Sequence, residues 1–253
     1  LLALVLAGAG AAARAEDGPP IGVWQQRYEI GVNVLQSSFS DNWNGGDKGS
    51  VVWAAVFDAR LAKQFSESTN WRNTLKLAYG QTHNQERNDA GELIWQNPDK
   101  TNDAIELESL LRWTTASGWD PFAAFHFTSM FEDVNDPQQR SLTFNPLTFK
   151  ESAGISRQFL DGDERFLITR AGVAFIQNRR AYYVNPAPDD ETATANSTEV
   201  AAEAVAEFRT PLAGEKIHWE STLTLTYPFS YSGKSAFEDH DPTAWGLPAD
   251  IAD

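Results

Sequence analysis

Four histidines are the clearest candidates for acid–base or metal chemistry in this sequence: His83, His126, His218 and His240. They lie far apart, and no pair has the His-x-His or His-Glu spacing of a metal site. The chain has no cysteine, which excludes disulfides, thiolate metal sites and a cysteine nucleophile. A Ser-His-Asn site on His126 or His218 is conceivable, because geometry rather than sequence order defines such sites. No Gly-x-Ser-x-Gly elbow is present, however, so we expect no catalytic residue, cofactor or metal.

A second candidate site is a polar loop between two alternating runs, made of Asn42, Trp43, Asn44, Gly45, Gly46 and Asp47. Its oxygen atoms and the Trp43 ring could hold a cation or a sugar. Trp43, however, falls where a calcium-binding loop places a ligand. The Asn/Gly content is typical of a tight turn, and we interpret the segment as an extracellular loop with Trp43 packed on the mouth of a barrel.

Charged residues recur at every second position of several runs, which predicts strands with one polar face. Such residues cannot lie in hydrocarbon without a heavy cost, so we predict that they form a charge network around a lumen. Both signs are interspersed, which favours a narrow interior that is blocked or tightly constricted over a wide pore. The predicted lumen residues are Glu29, Asp58, Arg60, Arg72, Lys76, Glu106, Glu108, Arg112, Glu203, Glu207, Arg209 and Glu220.

The opposite face of the same strands is apolar and carries large aromatic residues near strand ends. Trp and Tyr at such positions are typical of the aromatic girdles of membrane proteins, where the ring is buried and its N–H or O–H reaches water. The predicted girdle consists of Trp53, Trp71, Tyr79, Trp113, Trp219 and Tyr227.

The strand pattern predicts an all-β fold, an antiparallel up-and-down transmembrane β-barrel. Nine strands of about 10–13 residues are expected, a length that suits a tilted strand crossing a bilayer. Their connections alternate between long polar loops and short turns, as in bacterial barrels with long extracellular loops and short periplasmic turns. After nine strands the chain would end outside the cell, with two unpaired edges in lipid, so we expect at least one further strand beyond Asp253, and 10–12 in all.

Composition limits the partners of the chain, and its N-terminal sequence predicts export. The 253 residues are 42% hydrophobic, with a mean hydropathy of -0.42 and a net charge of -15. That charge argues against nucleic-acid partners, and it makes the acidic loops candidates for divalent cations shared with outer-membrane lipid. Residues 1–15 resemble a signal peptide ending in Ala13-Arg14-Ala15, which predicts export to the outer membrane. Residues 16–23 would be a short periplasmic segment, and 24–253 the barrel.

Four ordered blocks of sequence carry a resemblance to a known family. The blocks are Asn42-Trp43-Asn44-Gly45-Gly46 after the strand from Trp24, Trp71-Arg72-Asn73-Thr74-Leu75, Thr101-Asn102-Asp103-Ala104-Ile105, and Asn145-Pro146-Leu147-Thr148 followed by Glu151-Ser152-Ala153-Gly154. Together they resemble an uncharacterised family of predicted outer-membrane proteins from Bacteroidetes-type bacteria, catalogued as a domain of unknown function. The resemblance covers most of Trp24 to Tyr227. It implies an outer-membrane barrel and supplies no activity or catalytic residue.

The sequence therefore predicts a non-enzymatic outer-membrane barrel with a narrow lumen, serving passive transport or a structural or surface-interaction role. Two alternatives remain open. One is an outer-membrane enzyme acting on lipid with His126 or His218 as base. The other is a soluble periplasmic β-barrel that binds a small apolar ligand.

Overall fold

The computed structural model describes residues 2–7, 20–38, 48–162, 165–212 and 217–232. The regular elements of these residues are all strands: β1 Leu2–Ala7, β2 Trp24–Ser37, β3 Ser50–Ser66, β4 Thr69–Arg87, β5 Leu93–Trp95, β6 Asp99–Trp113, β7 Asp120–Ser129, β8 Glu132–Asp133, β9 Leu142–Thr143, β10 Leu147–Asp161, β11 Phe166–Tyr183, β12 Thr192–Leu212 and β13 Ile217–Tyr231. Across these ranges no helix is long and apolar enough to cross a membrane.

One large antiparallel sheet contains all of the long strands. Its order is β1-β2-β3-β4-β6-β7-β10-β11-β12-β13, with the short β5 paired to the end of β4. Strands β8 and β9 form a separate small hairpin within the loop between β7 and β10. Each long strand therefore pairs with the previous and the next long strand, which confirms the predicted up-and-down topology.

Closure into a barrel is not seen. Within the described ranges, pairing ends at β1 on one side of the sheet and at β13 on the other. The outer edge of β2 is occupied by β1, whose Leu2 and Ala7 pair with Val34 and Glu29. This edge strand lies inside the predicted signal peptide, which itself stays a prediction.

Several strands extend further than the sequence pattern predicts. Segment 64–70 is polar and its composition predicts a turn, but it is mostly strand, because Gln64 pairs with Asn70 and Ser66 with Thr69. The side-chain amides account for this, since Asn70 Nδ2 donates to Gln64 Oε1 at 2.9 Å across the pair. At the opposite end, segment 178–197 is polar and its composition predicts a long loop, but β11 and β12 continue into it and leave only 184–191 as a connection.

The register sorts side chains onto two faces. Lys76 stands opposite Asp58 and Glu106, and Glu108 stands opposite His126, so these residues share one side of the sheet. We call it the charged face. The alternate positions form the apolar face, on which the β13 side chains Leu223, Leu225 and Tyr227 are 57%, 59% and 74% exposed.

The sheet curls strongly around its charged face. Arg72 on β4 lies 3.5 Å from Glu207 on β12, although five strand-to-strand steps separate these strands in the sheet order. In a flat sheet that separation would be about 24 Å, at about 4.8 Å per step. Small residues allow the tight curvature: on β11 and β12 the inward Ala174 and Ala201 are both fully buried. The charged face is therefore concave and encloses an interior.

Candidate functional site: the charged interior

The twelve predicted lumen residues all lie on the concave charged face. The register places them on strands β2, β3, β4, β6, β12 and β13, each in phase with its neighbours. Sequence alternation alone assigned them to this side. The structure adds which of them meet across the interior.

Four side chains from four strands form a closed cycle of ion pairs, which we call the ion-pair ring. Arg72 on β4 lies 3.1 Å from Glu108 on β6, and Glu108 lies 3.8 Å from Arg170 on β11. Arg170 lies 2.9 Å from Glu207 on β12, and Glu207 lies 3.5 Å from Arg72. Each charge in the ring therefore has two opposite charges beside it, and the ring as a whole is neutral.

The ring is largely withdrawn from solvent. The side chains of Arg72, Glu108 and Glu207 are 20%, 20% and 24% exposed, and that of Arg170 is 7% exposed. The Nε atoms of Arg72 and Arg170 are buried, and neither has a hydrogen-bond partner within the described residues. Charges this far from water persist only when they are paired, so the cycle is a coupled unit rather than four surface residues.

Further polar contacts extend the ring on the side of the long loops. His126 Nε2 on β7 lies 3.3 Å from Glu108. Lys150 on β10 forms an ion pair with Glu203 on β12, reaching across β11. Its path is clear because Gly172, the register partner of Glu203, has no side chain.

Two cavities lie on either side of the ring along the interior. A cavity of about 310 Å³ toward the long loops is lined by residues that include Lys76, Glu106 and His126. A cavity of about 120 Å³ toward the short turns is lined by residues that include Arg60 and Arg209. Thr222 on β13 lines both, so it lies at the level of the ring.

Other predicted lumen residues lie around this centre without joining the ring. Glu29 pairs with Arg27 on its own strand, and both side chains are well exposed at 44% and 71%. Glu220 is the register partner of Arg209. The remaining members are Asp58, Arg60, Lys76, Glu106 and Arg112, which line the same face.

The register places the six predicted girdle residues on the apolar face. Trp53 and Tyr79 contact each other near the long loops, with ring centroids 5.8 Å apart. Trp71 lies near the short turns and donates its indole N–H to Ser109 Oγ at 2.9 Å. Trp219 donates likewise to Ser221 Oγ at 3.2 Å. Trp113 and Tyr227 complete the set, and both are exposed.

Two long loops are tied together above the sheet, at 130–146 and 184–191. Arg140 donates to the backbone oxygens of Asn185 and Asp189 at 3.0 and 2.6 Å, and its guanidinium stacks 3.8 Å from the Tyr183 ring. Its hydrogen bonds to Asp136 lower the pKa of that carboxyl below its usual range. We call this arrangement the loop clasp.

Buried Asn145 anchors the base of the loop clasp. Its side-chain amide donates to Asp133 Oδ2 at 2.7 Å and to the Ala181 oxygen at 3.0 Å, and its oxygen accepts from the Ala181 N–H at 2.7 Å. Asparagine can satisfy a carboxylate and a backbone pair together because it carries both donors and an acceptor. The clasp is therefore joined to the ends of β10 and β11.

The remaining candidates of the sequence lie apart from the ring or outside the described residues. His83 lies on β4 and His218 on β13, whereas His240 and the loop residues Asn42, Trp43, Asn44, Gly45, Gly46 and Asp47 lie outside the described residues. In the part of the chain that the structure describes, no three His, Asp or Glu side chains are grouped to hold a metal ion.

Sequence reasoning missed two essential members of the interior, Arg170 and Lys150. The runs 149–160 and 165–177 show weak apolar–polar contrast, so their faces could not be told apart. The register supplies what the sequence lacks: Lys150 and Arg170 lie on the same face as Gly154 and Gly172, which pair with each other. The backbones approach closely there, since a Cβ on Gly154 would lie only 2.1 Å from the Ala171 oxygen.

Comparison with known proteins supports a resemblance to an uncharacterised family, and it does not test the outer-membrane or Bacteroidetes part of that expectation. No curated protein and no solved structure matches the chain. One family model matches part of the chain, a region that covers β3, β4, β6 and β7. This region includes Arg72 and Glu108 of the ring but not Arg170 or Glu207. Residues 34–133 match the model of a family described as protein of unknown function (DUF3078).

Proposed function

We propose that this chain forms a non-enzymatic outer-membrane β-barrel, with the apolar face against lipid and the charged face around a narrow interior. Its role would be limited passive transport, or a structural or surface-interaction role through its loops. The observation that carries this proposal is the separation of the two faces over one continuous curled sheet. Paired charges line the concave side, and large apolar side chains are exposed on the convex side.

The exposed apolar side chains are too many for the surface of an ordinary soluble monomer. Those of β2 and β13 include Ile30, Val32, Val34, Leu223 and Leu225, which are between 42% and 59% exposed. Soluble proteins rarely expose contiguous apolar patches larger than a few hundred Å². A lipid environment removes this problem, because the same face then contacts hydrocarbon.

The spacing of the aromatic residues matches a membrane. Trp71 and Tyr79 on β4 are eight residues apart, and so are Trp219 and Tyr227 on β13. Eight residues of strand span about 27 Å, or about 20 Å along the axis of a barrel whose strands tilt by about 40°. The apolar band of outer-membrane barrels is about 25 Å tall. The girdle residues of β4 and β13 thus both fit an apolar band of about this height.

Closure is part of this proposal. The edge of β2 that would join the other end of the sheet carries β1, and cleavage after Ala15 would remove β1 and uncover that edge. We expect the uncovered edge to pair with a strand from the other side of the sheet, since an open edge is not tolerated in lipid.

The deciding experiment is to fractionate cells that express the full-length gene and to analyse the protein on SDS gels with and without boiling. We expect it in the outer-membrane fraction, released only by detergent, with a band that shifts on heating. A protein released without detergent whose band does not shift would refute the proposal. That result would favour a soluble barrel with an apolar ligand instead.

A further inference from the structure

The ion-pair ring has a consequence for transport that goes beyond the general role proposed above. We propose that Arg72, Glu108, Arg170 and Glu207 form a seal across the interior, so that the barrel is closed to ions in its resting state. This inference rests on the proposed barrel. It favours the structural or surface-interaction role over passive transport, because a sealed interior leaves the loops as the surface that can bind partners.

The ring spans the interior rather than lining one wall. Its members come from β4, β6, β11 and β12, so the cycle joins opposite sides of the curled sheet. The wall between them, on β7 and β10, carries three small inward residues, Ala124, Ser152 and Ser156, which are 6%, 6% and 1% exposed. It also carries buried Phe122, and the Arg170 guanidinium lies 5.9 Å from the centre of that ring. The ring residues and Phe122 together fill the space in front of this wall.

The cavities agree with a seal at this level. Their linings are separate apart from Thr222, with Glu106, Glu108 and His126 on one side and Arg60, Arg72 and Glu207 on the other. The ring thus lies between these two cavities.

The alternating charges of the ring exclude both anions and cations. An anion that approaches the two arginines is repelled by Glu108 and Glu207. A cation that approaches the two glutamates is repelled by Arg72 and Arg170. Rings of a single charge sign select ions in channels. A ring that alternates in sign at distances of 2.9 to 3.8 Å offers neither kind of ion a net attraction.

The test uses the full-length protein in planar lipid bilayers with a potassium chloride gradient. Wild type is expected to show no steady conductance. E108Q/E207Q leaves only the two arginines and is expected to conduct with anion selectivity. R72Q/R170Q leaves only the two glutamates and is expected to conduct with a reversal potential of the opposite sign.

Two further variants keep the result interpretable. Replacing all four residues by glutamine removes every unpaired buried charge, so this variant should fold and conduct without selectivity. E29Q removes an exposed charge of the same face, outside the ring, and should stay silent. Each sample is first checked for its heat-shifted band.

The outcomes separate this inference from the proposed function. Loss of the heat-shifted band in wild type would refute the barrel and the seal together. A heat-shifted wild type that conducts as freely as the variants would overturn the seal alone. So would heat-shifted variants that all remain silent.

Discussion

The pair Arg170–Glu207 offers the sharpest test of the energetic coupling inside the ring. We expect a double-mutant cycle with Arg170→Met and Glu207→Gln to show a coupling free energy of about 2 kcal/mol. Each single change should destabilise the fold by about 3 kcal/mol, because it leaves a partly buried charge short of its partner. The double variant should be less destabilised than the sum of the two.

The magnitude follows from the geometry. At the observed 2.9 Å, two unit charges attract by about 6 kcal/mol at an effective dielectric constant of about 20. Screening by solvent lowers the coupling below this value, since the Glu207 side chain is 24% exposed. The like charges across the ring, Arg72 and Glu108, reduce it further. A net coupling near one third of the gross attraction is what remains.

The assay is urea-dependent unfolding of the full chain in detergent micelles, followed by tryptophan fluorescence. The matched control is the cycle of Arg27→Met and Glu29→Gln, an ion pair on the same face whose side chains are 71% and 44% exposed. Exposed pairs contribute about 0.2–1 kcal/mol, so this coupling should be much smaller. Equal couplings in the two cycles would refute the view that the ring is a desolvated, coupled unit.

Three other perturbations test the wall and the loop clasp. Gly172→Val places a Cβ 2.2 Å from the Ala153 carbonyl oxygen, so the pairing of β10 with β11 must open and the yield of folded protein should fall severalfold. Asn145→Leu removes the buried amide of the clasp and should expose loop 130–146 to protease while the sheet remains. The Arg140 hydrogen bonds lower the pKa of Asp136, so their contribution is fully present above the unfolded pKa of about 4. It is lost as the pH falls through the lower folded pKa, and hydrogen exchange of the clasp should accelerate there.

Each of these has a contrary outcome, and two of them have a control variant. Gly162→Ala lies in a turn where the new Cβ would be 3.3 Å from the nearest atom, and it should fold normally. A Gly172→Val variant that folds as well would contradict the close approach of the strands. Unchanged cleavage in Asn145→Leu would show that the clasp is held elsewhere. Asp136→Asn should abolish the acid-dependent acceleration, whereas Asp190→Asn should leave it.

Strand alternation was enough to predict most of the architecture. Nine long strands, their antiparallel order and the faces of β2, β3, β4, β6, β12 and β13 follow from period-two patterns, because each of these strands has one polar and one apolar side. The exact ends of the strands could not be predicted. Segments 64–70 and 178–183 are polar, which predicts turns, although cross-strand pairing keeps them in the sheet.

The contacts of the interior could not be predicted for a different reason. Alternation tells which face a side chain occupies, but not which strand faces it across a curled sheet. On β10 the contrast itself is lost, since Glu151 lies on the apolar face while Ser152 and Gly154 lie on the charged face. Only the pairing of β10 with β7 and β11 determines which of its side chains lie on the charged face.

The missed residues change the electrostatic character of the interior. The twelve residues predicted from sequence contain seven acidic and five basic side chains, a set that would favour cations. Three basic residues contact this set in the structure: Arg27 beside Glu29, Lys150 beside Glu203, and Arg170 in the ring. With them the group is neutral to within one charge, so the net charge of -15 must come almost entirely from other parts of the chain. This balance within the group fits the sealed interior that we propose, whereas an open cation pore would place an acidic excess inside.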